Sequence, residues 1–337
     1  MQTPSVGVIG YGTYFPEQVQ TAADLVAPTG IPEEVLREKM GIVQRHIASD
    51  ADTVTHMASE AAKRAIEVAG IAPTEIDAVI SHGSQYKDHV VWNSAGKIQD
   101  DIGAVNAFGF EMYALCAGAP IALNVARGLM LSDPGVRTVL LAAGSRENDL
   151  INPANQRARF MFNFGAGGGA WLLRRDVDKN LLLGSAAITD GSLWQTVMLT
   201  TAPDAIGAQG PVMGDLYGWL DVRNSHYMAE RLGASSLPNF KQVMAEALEK
   251  SGYTFADVAF LGITHMKKSF YLQILDEIGL TPEQSIYLDH YGHVQSVDQV
   301  LTLQLGLEQG KIKPGDVVLL VGAGTGYTWS ASVIRWG

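Results

Sequence analysis

Cysteine is almost missing: Cys116 is the only one in 337 residues. One thiol forms no intrachain disulfide and cannot alone build a zinc–thiolate site. Basic charge is also scarce. Lys and Arg number 24 against 35 Asp and Glu, a net charge of −11. An acidic surface excludes broad binding to nucleic acid or anionic membranes, because phosphate contacts need basic patches. The opening MQTPS has no basic stretch, so no signal peptide is expected. No apolar run reaches about 18 residues without polar interruption, so no membrane span and a cytoplasmic location are expected. What is present is ordinary: 47% apolar and 18% charged residues. Those values exclude a disordered or fibrous chain. The length allows roughly two domains.

Apolar runs of strand length alternate with helical periodicity. Runs at 6–9, 78–81, 138–142, 169–173, 260–264, 317–321 and 331–335 are separated by periodic stretches at 54–69, 119–131, 240–250 and 294–308. The alternation predicts an α/β fold whose sheet is covered on both faces.

The pattern occurs twice. RAIEVAGIAPTEIDAVISH ends at His82 and ALEKSGYTFADVAFLGITH ends at His265, an offset of 183. VRTVLLAAGS and GDVVLLVGAG match with Leu140 on Leu319, an offset of 179. GAGGGAWLLRR and GAGTGYTWSASVIRW match in outline. Three matches in one order predict a duplicated half of about 180 residues. The expected division is 1–175 and 176–337.

The duplication bears on chemistry. Cys116 precedes Gly144 by 28 residues, and His293 precedes Gly322 by 29. That spacing places the two at equivalent positions, each opening a helical pattern. A helix N-terminus favours negative charge and lowers a thiol's pKa. Ala114, Leu115, Ala117, Gly118 and Ala119 flank Cys116 with mostly small side chains, which leaves the sulfur approachable. The bland alternative is a buried structural thiol. His265 follows a buried strand, where open α/β sheets place ligands; its counterpart His82 shares that setting. His290 and His293 are three apart, but Gly292 between them argues for a turn, and no metal site is expected. The glycine clusters at 7–12, 165–169 and 322–326 are not followed by helices, so none is a phosphate-binding loop. Tight turns near an active site are the expected use.

Longer motifs resemble a known family. GIVQRHIA at 41–48 looks like G-I-x-x-R-x-I-A, and ALCAGAPIAL at 114–123 looks like a nucleophile segment A-C-A-G-x-x-x-A-L. FNFGAGGGAWLL resembles F-G-D-G-A-G-A. KIKPGDVVLLVGAGTGYTWSASVIRW resembles the signature K-P-G-x-x-V-L-L, Gly-rich turn, T-W-G-x-x-x-x-R. These are motifs of the thiolase superfamily, closest to 3-oxoacyl-acyl-carrier-protein synthase III. The resemblance covers nearly the whole chain. It implies a thiolase fold: two pseudo-symmetric βαβ halves packed as a five-layer α-β-α-β-α sandwich.

By that resemblance Cys116 is the acyl-accepting nucleophile and His265 the first catalytic histidine. His293 replaces the usual asparagine. The backbone amides of Cys116 and Thr325 form the oxyanion hole, and Phe164, Gly324, Lys267 and Lys268 lie on the substrate side. The family's H-Q-A-N-x-R reads His265-Met266-Lys267-Lys268-Ser269-Phe270, without the arginine linked to carrier-protein docking. Val35 and Lys39 stand where tryptophan and arginine are usual, which argues against ordinary coenzyme A binding and for specialised metabolism. The implied enzyme is an acyltransferase, a homodimer with no permanent cofactor. It uses acyl-CoA or acyl-carrier-protein thioesters and performs decarboxylative Claisen condensation with a malonyl-type thioester. Two alternatives are acyl transfer to an oxygen or nitrogen nucleophile, with His265 as base, and a non-catalytic subunit of a heteromeric synthase.

Overall fold

The structure is a computed structural model that describes residues 4–83, 85–89, 91–200 and 218–337. The first half runs β1 (Val6–Tyr14), β2 (Val19–Thr21), α1 (Ala22–Thr29), β3 (Gln44–His46), α2 (Val54–Ala69), β4 (Ala78–Ser81), α3 (Ser94–Ile102), β5 (Phe108–Glu111), α4 (Gly118–Ser132), β6 (Thr138–Ser145) and β7 (Gly167–Arg175). The second runs β8 (Leu181–Thr189), β9 (Val197–Thr200), β10 (Trp219–Val222), α5 (Ser225–Glu249), β11 (Val258–Ile263), α6 (Lys268–Glu277), α7 (Asp298–Glu308), β12 (Val317–Ala323) and β13 (Thr328–Arg335). The helix expected at 240–250 therefore begins much earlier. Polar residues at its N-terminal end hide the apolar period there.

Nine strands lie in the order β11-β12-β13-β8-β1-β7-β6-β4-β5. Within it β5-β4-β6-β7-β1 forms one group and β11-β12-β13-β8 the other. Ser285 bridges to Leu261 where the second group lacks a counterpart of β5. The groups meet at one residue pair, Gly7 with Leu181. Alternate side chains enter separate cores, because successive strand residues point to opposite faces. Val139 and Leu141 of β6, with Val318 and Leu320 of β12, face a shared central core with Leu123 of α4 and Val300 of α7. Leu140 and Ala142 pack outward with α2 and α3. Leu319 and Val321 pack outward with α5 and α6. Two outer cores and one central core that surrounds the middle helices thus join the five layers of a thiolase fold. We propose the division near residue 175 as the join between halves, in the link from β7 to β8.

The glycine cluster at 7–12 and most of that at 165–169 have a different use from the one expected. Gly7, Gly10 and Gly12 lie inside β1, and Gly167, Gly168 and Gly169 inside β7. Gly165 sits just before β7, where its amide meets the His293 carbonyl, near the candidate site as expected. A Cβ on Gly168 would sit 2.1 Å from the Met57 carbonyl oxygen, and one on Gly10 at 2.1 Å from that of Ala65. They let α2 lie directly on the sheet. Among the described residues one helical stretch, Leu115–Ser132, is long and apolar enough to cross a membrane, although no span was expected. Its apolarity has another cause: it contains α4, which is packed between the two groups of strands and buries Ala122, Leu123 and Ala126 in the central core.

Candidate active site

Sheet register decides which residues are equivalent. Ser81 pairs with Ala142 and Ile263 with Val321. The next amides, of His82 and Thr264, bond back to the Ala142 and Val321 carbonyls. His82 therefore corresponds to Thr264, one residue before His265. Likewise, Leu115 and Gln295 both have positive φ, 50° and 53°, and open the short turns Leu115–Ala117 and Gln295–Val297. Each turn runs into a central helix. The counterpart of Cys116 is Ser296, not His293, which lies three residues earlier and outside the helix. Counting back to the glycine turn misaligned them because the two halves differ in length between these points.

The halves nevertheless bring the chemistry together. Gly118 packs so closely against Ser296 that even a methyl would need its neighbours to shift: a Cβ there would lie 3.2 Å from the Ser296 Cβ and 3.1 Å from the His82 carbonyl oxygen. This sets the turn carrying Cys116 against the turn before α7. The Cys116 sulfur, 2% exposed at residue level, lies 3.0 Å from His293 Nε2 and 2.8 Å from Gln295 Oε1. His293 Nδ1 lies 2.6 Å from Asp298 Oδ2. Asp298 is fully buried in the first turn of α7. Its Oδ1 accepts from the Val294 amide at 2.8 Å, and its Oδ2 also accepts from the His265 amide at 2.7 Å. Burial alone would lower the His293 pKa, but the Asp298 carboxylate and Cys116 hold it well above the usual histidine value.

The motif at 41–48 acquires a purpose here. The buried Arg45 guanidinium donates to the carbonyls of Phe162 and Phe164, at 2.8 and 3.0 Å. That segment clamps the backbone of His293: the His293 amide donates to Asn163 and its carbonyl accepts from Gly165. Phe164 meets the His293 ring edge-on, centroids 5.0 Å apart. Burial pushes the Arg45 pKa down to about 10. Gly41 of the same motif accepts from His265 Nε2 at 3.0 Å. Burial also pushes His265 down to about 4, so it is neutral and its one N–H is spent on Gly41.

A cavity of about 610 Å³ opens over Cys116. Its floor includes His265, His293, Asn163, Phe164, Gly324 and Trp329. Gly324 passes so near that a Cβ would sit 2.7 Å from the Cys116 sulfur. Thr325 lines the cavity beside it. Among the described residues, neither the Thr325 nor the Cys116 backbone N–H is spent on another group of the protein. The exposed rim carries Lys39, Arg159 and Lys267, and among the described residues no carboxylate lines the cavity. Lys268 is not at the cavity; it lies 3.8 Å from Glu38 on the outside. His290 is exposed, bonds Asp289 and does not converge with His293.

Sequence reasoning missed Asp298 and Gln295. Asp298 had one visible signal: it is a lone carboxylate in the apolar repeat VQSVDQVL, where an unpaired charge is costly. Gln295 had none, because its contact with sulfur spans 179 residues.

Residues 110–191 match the family model of 3-oxoacyl-[acyl-carrier-protein] synthase III, and residues 248–336 match its C-terminal model. Beta-ketoacyl-[acyl-carrier-protein] synthase III of Thermosynechococcus vestitus is 29% identical, with all of both chains covered. The crystal structure of 3-oxoacyl-[acyl-carrier-protein] synthase III from Aquifex aeolicus superposes with a TM-score of 0.84 at 24% identity, covering 98% of this chain and 100% of that one. The priming beta-ketosynthase of the R1128 polyketide pathway gives 0.84 at 24% identity, covering 99% and 98%. The chain belongs to the 3-oxoacyl-acyl-carrier-protein synthase III family, acyltransferases built on the thiolase fold.

Proposed function

We propose that the protein loads an acyl group onto Cys116 from a thioester and condenses it with a malonyl-type thioester. The observation that carries this reading is the Cys116–His293–Asp298 chain at the floor of the cavity. In loading, His293 Nε2 takes the thiol proton while the sulfur attacks the thioester carbonyl. The backbone amides of Cys116 and Thr325 stabilise the oxyanion. The departing thiol takes the proton back from His293.

In the second step the malonyl carboxylate leaves as CO₂. The resulting enolate carbon attacks the acyl-enzyme, and the Cys116 thiolate leaves. Enolate oxygen needs a donor. Loading leaves His293 neutral, and the Asp298 carboxylate beside it favours uptake of a proton from solvent before the extender reacts. A cationic Nε2–H supplies what an amide supplies in relatives with asparagine. A general base for an alcohol or amine would instead have to be neutral when its acceptor arrives.

One observation favours that second reading, transfer to oxygen or nitrogen. The His265 N–H is held by Gly41, so of the two histidines only His293 offers the pocket a donor unless that bond is given up. Relatives are named for carrier-protein thioesters, and the Lys39, Arg159 and Lys267 rim suits the phosphate of a carrier arm or of coenzyme A. The likeness to a polyketide priming enzyme supports a role in specialised metabolism. A homodimer is supported by β5, the unpaired sheet edge, where Phe108 is half exposed.

The test is incubation with a panel of acyl thioesters, with and without malonyl thioester, followed by intact-mass and product analysis. The reading expects an acyl adduct on the native protein, none on Cys116→Ala, and product only with the malonyl donor. Product from an alcohol or amine without malonyl donor would replace it with the second reading. Absence of any adduct would leave a non-catalytic subunit.

A further inference from the structure

Gln295 is buried, touches the sulfur, and has no part in the chemistry above. Its backbone adopts φ 53°, where asparagine or glycine is cheaper and other side chains cost about 1 kcal/mol or more. Strain alone does not single it out, since its counterpart Leu115 has φ 50°. The distinguishing fact is the carboxamide, whose Oε1 lies 2.8 Å from Sγ.

That contact suits only one charge state of Cys116. A thiol has one proton to give, and two acceptors face it: Gln295 Oε1 and His293 Nε2, whose other nitrogen donates to Asp298. When His293 takes the proton, a carbonyl oxygen beside the thiolate becomes repulsive. Turning the amide by half a revolution replaces oxygen with NH₂ at the same reach. The sulfur then accepts two hydrogen bonds, one from imidazolium and one from the amide.

We propose that Gln295 is a catalytic residue, the second hydrogen-bond partner of Cys116, whose carboxamide presents N–H to the sulfur whenever it is a thiolate. This rests on the reading of Cys116 as the nucleophile. Among the described residues, the charged and titratable groups about the sulfur include His293 in contact, Asp298 behind it, and, in the same cavity, His265 with Lys39, Arg159 and Lys267 at the rim. Gln295 is the neutral contact, so its effect separates from theirs.

The test is the pH dependence of iodoacetamide alkylation and of single-turnover acyl loading in the full-length protein. Gln295→Asn keeps a residue at ease with positive φ but withdraws the amide by one methylene. The proposal expects its alkylation midpoint to move up, with alkylation below the midpoint slowed about tenfold, the scale of one hydrogen bond to a charged group. Gln295→Glu keeps the length, cannot donate when ionised, and should move the midpoint further up. Thermal melting checks that both variants are folded. A midpoint unchanged or lowered in Gln295→Asn, with native loading intact, overturns the role of Gln295 and leaves the function reading standing. Native protein that never loads an acyl group overturns both.

Discussion

Replacing Asp298 by asparagine tests the catalytic arrangement at its least exposed point. The carboxylate takes three bonds, from the Val294 amide, the His265 amide and His293 Nδ1. Asparagine has one acceptor oxygen. Kept at the Oδ2 site it still serves both histidines, but its NH₂ then faces the Val294 N–H. One bond is lost and two buried donors oppose each other, a stability cost of about 1–3 kcal/mol. The effect on chemistry should be larger. Without the carboxylate, His293 keeps an acceptor at Nδ1 but loses the charge that favours its protonated form. The same exchange in a serine-protease triad costs about 10⁴ in kcat. A thiol gives up its proton more readily than a hydroxyl, so a fall of roughly 10²–10³ in loading is expected. Rapid-quench intact mass measures acylation of Cys116 in one turnover, across pH, beside a melting curve. If Asp298→Asn loads at the native rate with the native pH dependence, the relay has no role.

Other expectations follow from the same contacts. His293→Ala should slow condensation by roughly 10²–10³, the loss of one oxyanion donor, and His293→Asn should recover part of it. Because His293 is also the base in loading, single-turnover loading and product formation are measured separately on the two variants, and asparagine doing no better than alanine in the condensation step would count against the Claisen reading. Burial holds His82 and His265 neutral down to about 4. Unfolded histidines take up protons near 6.5, so the unfolded state binds more protons between those values. Stability should therefore fall as pH drops through that window, by at most about 1.4 kcal/mol per unit for each histidine. Urea midpoints at several pH values should show it, and His82→Leu should flatten the slope; an unchanged slope would refute the assignment. Lys39→Glu with Lys267→Glu should raise KM for coenzyme A or carrier-protein thioesters, but not for a short uncharged thioester, and equal effects on both would show that the rim does not read phosphate.

Much of the molecule was legible in the chain. Buried strands and periodic helices follow from local alternation, and the duplication follows from matched segments such as those ending at His82 and His265. Cys116 stood out as the sole thiol, and His265 and His293 followed from their motifs. Tertiary structure decided the rest, because the partners lie far apart in sequence. Only sheet register shows that His82 matches Thr264, and only the backbone of the two turns shows that Cys116 matches Ser296. Only packing of two central helices end to end brings Asp298 and Gln295 to the nucleophile, and only folding turns Gly41 and Arg45 into supports for the two histidines. Local sequence specifies backbone preference and which face is apolar. A hydrogen bond between residues nearly 180 apart depends on where two separately specified turns meet, and no local pattern carries that information.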